Sequence, residues 1–200
     1  LRTFTMSCKF MAVNRGMVVK FLVLFLLLAA QNVLAFSVKL EGPVTPGSVQ
    51  AVMNSVNTHM NAGETQMTLR LESDGGEIPS AVKLANFLRE KASQGLRLET
   101  YNRVECNSAC TIIFAAGQVR KAARGAKFYF HSVGVQGAGS DHDVVQLRWA
   151  NIWSAQIAMV DPRLSQELDQ DETLIGYAHE KTYRGGQLFD GGYSYVTEVP

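Results

Sequence analysis

Ser108 stands where an extended stretch gives way to an apolar one, and a serine in that place has two uses. It can cap the helix that follows, since serine is among the residue types most favoured there. It can also serve as a nucleophile, provided a base takes its proton. The first turn of a helix offers free N–H groups and the positive end of its dipole, and both suit a site for developing negative charge. Position alone favours the cap. A second element lies upstream, where Ser73-Asp74-Gly75-Gly76 forms a tight turn between strand and helix. Its glycines expose backbone N–H groups without side-chain obstruction, and the N–H of Ala109 is a further donor for the oxyanion of an acyl-transfer intermediate. The plain alternative is a turn that uses glycine for positive φ.

A base must come from the four histidines. His59 falls off the apolar stripe of its helix, His142 opens a helix where a protonated imidazole is unfavourable, and His179 follows Tyr177-Ala178 without a clear setting. His131 ends the strand-like Phe128-Tyr129-Phe130 run just before the glycine-rich residues 134–140, so it is the candidate base, with a satisfied structural histidine as the alternative. Cys106 and Cys110 flank Ser108. They form either a disulfide clamping the turn or two buried small hydrophobes. A thiol of Cys110 paired with His131 needs a lowered thiol pKa. With no histidine beside them the two cysteines fall short of a zinc set, and no metal or cofactor is expected.

The elements that position these residues follow from periodicity. Phe36 to Leu40 alternates as a strand, and Thr45-Pro46 reads as an N-cap followed by proline in the first helical position. Val49, Val52, Met53, Val56 and Met60 fall on one helical face, with Gly63 as the stop. Met67, Leu69 and Leu71 alternate with polar residues as a second strand; Ile78, Val82, Ala85 and Leu88 mark a second helix ending at Gly95; Leu96 and Leu98 begin a third strand. Thr111 to Ala116 is too apolar for a surface helix, and Gly117 closes it. Lys127 to His131 is another strand, and a long helix runs from about Asp141 to Val160, ending before Pro162. Its apolar coverage, from Val144 to Met159, is wider than one stripe, so it is either buried or an interface. Strands alternating with helices predict an α/β fold of βαβ units with mostly parallel pairing, whose reactive groups collect at the carboxyl ends of the strands.

The 200 residues carry a net charge of +1 and no basic tract, which gives nucleic-acid binding no footing. Lys9, Arg15 and Lys20 precede an apolar run from Phe21 to Ala30, and Val33-Leu34-Ala35 supplies small residues at a cleavage site. This is the pattern of a secretory leader cleaved after Ala35, leaving one domain over 36–200. The apolar run is about half of the roughly 20 residues a membrane-spanning helix needs, so a membrane role is confined to an uncleaved leader. Met6, Met11 and Met17 are candidate starts. An exported, periplasmic or secreted chain folds where Cys106 and Cys110 can oxidise.

Taken in order, Ser73-Asp74-Gly75-Gly76, then Asn107-Ser108-Ala109-Cys110 with Ala115-Ala116-Gly117, then Phe130-His131, resembles the Clp-type serine protease family, and within it the exported bacterial Clp-protease-like proteins. The resemblance covers most of residues 36–200. It implies a Clp-protease/crotonase-like spiral of ββα and βαβ units, with Ser108 as nucleophile, His131 as base, Gly75 and Gly76 in the oxyanion hole, and a peptide or protein as substrate. It also implies a homo-oligomer meeting through the 141–160 helix, although a helix covered by the carboxy-terminal tail fits as well. The chain departs from the family at two points. Asp74 replaces the proline of the family's turn and brings a negative charge near the oxyanion site. The family's acid position falls near Lys181, so the adjacent Glu180 is the candidate, with Asp169, Asp171 and Glu172 upstream. A Ser–His pair lacking its acid loses the group that fixes the imidazole. The rivals to a serine hydrolase are a non-catalytic binding or scaffold protein on the same fold and a coenzyme A thioester enzyme of the crotonase type, which an export leader disfavours.

Overall fold

The computed structural model describes residues 34–131, 142–170 and 180–200, with the side chains of 142–147, 170 and 180 left out of that description. The leader pattern, the glycine-rich residues 134–140, His179, Asp171 and Glu172 lie outside the described residues. The chain is an α/β protein with a mostly parallel, mixed sheet. In order it comprises β1 (Ala35–Glu41), α1 (Pro46–Asn61), β2 (Gln66–Ser73), α2 (Ile78–Ser93), β3 (Arg97–Asn107), α3 (Ala109–Phe114), β4 (Val119–Ala122), β5 (Lys127–His131), α4 (His142–Ala158), α5 (Pro162–Gln170), β6 (Glu180–Arg184) and α6 (Gly185–Asp190). No described helix is long and apolar enough to cross a membrane.

The sheet order is β1-β2-β3-β5-β6, with β4 also paired to β3. β3 is long enough to serve two parallel partners along one edge: Glu99 to Asn102 pairs with β4, and Glu105 to Asn107 pairs with β5. Among the described strands only β6 runs antiparallel, against β5. Alternation decides the faces. Val38, Leu40, Met67, Leu69, Leu71 and Leu98 point into the core with the helices, beside Val49, Val52, Val56, Leu84 and Leu88. The opposite face is polar, an unusual state for parallel strands, which are normally covered on both sides. Here Lys39 bridges Glu41 and Glu72 at 2.7 and 3.3 Å, and Lys121 bridges Glu99 and Glu198 at 2.7 and 3.2 Å.

The helix starts follow local chemistry. Thr45 caps α1 in a reciprocal box with Ser48, and proline occupies the first turn. Beyond Pro162, where the sequence reading assigned no element, the structure adds two helices and a strand. The long helix does end before Pro162, but Pro162 itself opens α5, with Asp161 Oδ1 accepting from Leu164 N at 2.8 Å. The tail from Glu180 forms β6 and α6. Trp153 and Ile157 of α4 are buried within the chain, while Met159, just past its end, is exposed.

Glu167 of α5 ties β6 and the tail together. Its carboxylate accepts from Lys181 Nζ at 2.7 Å, from Tyr183 OH at 2.6 Å and from the Tyr193 hydroxyl. Lys181 first, then the tyrosine donors, hold the Glu167 pKa down to about 2. A carboxylate depressed in the folded state stabilises fully above its unfolded value, and that contribution fades as the pH falls through the folded one. Glu167→Gln is therefore expected to lower the urea midpoint at neutral pH. The gap to wild type should close between about pH 4.5 and pH 2; a gap independent of pH would contradict the ion-paired role.

Candidate active site

β3 ends at Asn107, and the chain turns into α3 through Ser108 at φ 50° and ψ −125°. Among the described residues Ser108 is the single non-glycine residue with positive φ. An N-cap residue is extended and its side chain accepts from the next turn. Ser108 does neither: it makes no capping bond, so the cap role expected from position does not hold. A non-glycine residue in such a region costs about 1–3 kcal/mol and persists only where its surroundings over-determine it. Those surroundings are visible. Ser108 N donates to Tyr129 O at 2.7 Å, and Ser108 O accepts from Thr111 N at 2.9 Å and Thr111 Oγ1 at 2.6 Å. Cys106 and Cys110, both fully buried, are joined by a disulfide across 5.2 Å between Cα atoms, closing the loop around the serine. A sharp strand-to-helix turn of this kind is how a serine hydroxyl is pushed out of a packed corner.

Gly75 lies against that corner. A Cβ built on it would sit 2.6 Å from Ser108 Cβ, 2.8 Å from Asn107 O and 3.2 Å from Ala109 N, and its φ of 100° suits glycine alone. Gly75 N–H donates to Ser73 Oγ at 3.1 Å, a local bond that an oxyanion would have to displace. Ala109 N–H has no acceptor among the described residues. The same is true of Gly76 N–H, but Gly76 packs beside the Val44 backbone and not beside Ser108. Asp74 is exposed and its Oδ1 accepts from Asn107 Nδ2 at 3.3 Å, so its carboxylate is held by the residue before the serine. Asn107 Nδ2 also reaches Glu105 Oε2 at 3.0 Å, and its own Oδ1 is buried without a partner.

His131 is the last residue of β5, beside β3 at the same carboxyl edge of the sheet. It lies two residues beyond Tyr129, the residue whose carbonyl holds Ser108 N. Its ring faces that of Tyr129 at 5.2 Å between centroids, and the residue is half-buried. The antiparallel ladder sets Glu180 directly opposite His131. Asp169 is engaged elsewhere, accepting from Ser154 Oγ at 2.7 Å. His59 lies apart, stacked on Phe36 at 4.4 Å and bonded to Glu64. Sequence reasoning missed Thr111, whose signal was a hydroxyl three residues after the serine, a spacing that lets it reach back to the serine carbonyl.

A cleft of 460 Å³ opens at the amino ends of the strands, lined by Gln66, Thr68, Arg97, Glu99 and Gln118 among others. Two of its polar groups are used within the chain: Gln118 Oε1 accepts from Leu98 N at 3.0 Å, and Glu99 pairs with Lys121 at 2.7 Å. In open α/β sheets ligands collect at the other end, where Ser108 and His131 lie. Compared with known proteins, the chain matches no family model and no curated sequence.

Proposed function

We propose that this chain is an exported serine hydrolase, a peptidase on a Clp-protease/crotonase-like spiral fold, with Ser108 as nucleophile and His131 as base. The observation that carries the reading is the conformation of Ser108. A serine in a strained, disulfide-clamped turn that caps nothing has a cost without a structural return, and such residues concentrate at functional sites. In the proposed reaction Ser108 Oγ attacks the acyl carbon and its proton passes to His131. The oxyanion takes the N–H of Ala109 and that of Gly75, released from Ser73; Gly76, packed against Val44, lies away from it. His131 then protonates the leaving amine, and water repeats the sequence in reverse to free the acid. Glu180 is assigned as the group that orients His131, on the strength of its position in the ladder. The leader pattern supports export with cleavage after Ala35, and the family likeness supports self-association through the 141–160 helix.

Labelling by a fluorophosphonate tests the reading. Wild type is expected to label at Ser108 and to cleave a peptide substrate. Ser108→Ala should lower hydrolysis by at least about a thousandfold. A wild type that never labels would leave the second reading, a binding protein on the same fold. That reading is favoured by the Gly75 N–H already bonded to Ser73 and by Asp74 close to the turn.

A further inference from the structure

We propose that Thr111 and Trp153 are positioning residues that couple α4 to the nucleophile turn and to the strand carrying the base; this rests on the serine hydrolase reading of the same site. The Thr111 hydroxyl has one proton to give and lone pairs to accept with. It gives its proton to Ser108 O at 2.6 Å and accepts Trp153 Nε1–H at 3.0 Å. The Trp153 ring also lies 5.8 Å from the ring of Phe130, the residue before His131. One indole on α4 thus touches the serine side of the site through its N–H and the histidine side through its ring.

The burial of this chain of contacts gives it force. Thr111 is 0% exposed and Trp153 7% exposed, so each hydrogen bond works in a low-dielectric setting. A buried indole N–H needs an acceptor, and any backbone carbonyl would satisfy that need. Here the acceptor is a hydroxyl whose own proton goes to the carbonyl of the one described non-glycine residue with positive φ. With two donors from Thr111 on it, that carbonyl is fixed in direction, and so is ψ of Ser108. Losing one donor frees the turn to relax and moves Oγ away from its attack position.

The test uses the full chain, with Thr111→Val, Thr111→Ser, Trp153→Phe and the Val/Phe double variant. Two quantities are read: the rate of fluorophosphonate labelling and the hydrogen exchange of the Ser108 amide. Thr111→Val is expected to slow labelling about tenfold, and Trp153→Phe about threefold, in line with one and part of one hydrogen bond. Thr111→Ser should restore most of the rate. The double variant should be no slower than Thr111→Val alone, because both changes break one chain of contacts. Ser108 exchange should rise in Thr111→Val while exchange in β1 and β2 stays as in wild type. Wild-type labelling rates in Thr111→Val, fully additive effects in the double variant, or unchanged Ser108 exchange would each overturn the coupling. If wild type itself never labels, the hydrolase reading falls and the exchange result alone decides the coupling.

Discussion

Ser108→Gly is expected to give a protein more stable than wild type that no longer labels. At φ 50° and ψ −125° a residue with a Cβ carries about 1–3 kcal/mol of backbone strain, which glycine does not. Glycine's greater freedom in the unfolded chain offsets roughly 0.5–1 kcal/mol of that gain. The serine side chain makes no capping bond, so little else is lost, and a net gain of about 1 kcal/mol should appear in urea unfolding. Ser108→Ala is the control. It should lose labelling equally but stay near wild type in stability, because alanine keeps the Cβ and the strain. Equal stability of the glycine and alanine variants would show that the turn is not strained. A stabilised, inactive glycine variant is the signature of a residue kept for chemistry against the interest of the fold.

Gly75→Ala should do the reverse, damaging both fold and site. The new Cβ would lie 2.6 Å from Ser108 Cβ and 2.8 Å from Asn107 O, and the second of these is backbone that cannot swing aside. The clash adds to the strain of a φ of 100°, and together they should cost about 3 kcal/mol. Because the displaced partner is the proposed nucleophile, labelling should fall by more than about tenfold, as expected for a misplaced reacting group. Gly42→Ala separates the two causes. Gly42 has a φ of 76°, and a Cβ placed on it would meet nothing within 4 Å. Strain alone, about 1 kcal/mol, should therefore remain, and labelling should be unaffected. If both variants lose the same stability, Gly75 is needed only for its φ and not for its closeness to Ser108.

Much of this architecture is legible in the sequence because strong local signals agree with each other. Thr45-Pro46 announces α1 through capping and a fixed proline φ, and both are present. Phe128-Tyr129-Phe130 announces β5 through aromatic residues on a pleated surface, and the strand spans Lys127–His131. β4 gives no such signal. It is four residues long, and one of its inward positions is Arg120, whose guanidinium lies buried on the carbonyls of Gly117, Ser194 and Tyr195. A charged residue in a core position inverts the pattern that marks a strand. α5 escapes notice because Pro162 reads as the end of one helix, although Asp161-Pro162 carries the same cap-then-proline signal as Thr45-Pro46. β6 is polar along its length and finds its place through β5, a partner far away in sequence. In the site, residue types and order point to Ser108 and His131. The backbone angle of Ser108 stays hidden because serine is so common as a cap.

Tyr195 OH donates to Thr111 O at 2.7 Å, and Arg120 holds the tail segment that delivers it. The brace on the Ser108 turn is thus supplied by a residue 84 positions downstream of Thr111. During synthesis β1 to β3 and the helices between them can assemble while this position is still missing. The brace on the Ser108 turn can then form only once Tyr195 has been made. A nascent chain that has not yet reached Tyr195 carries its Ser108 turn without this brace.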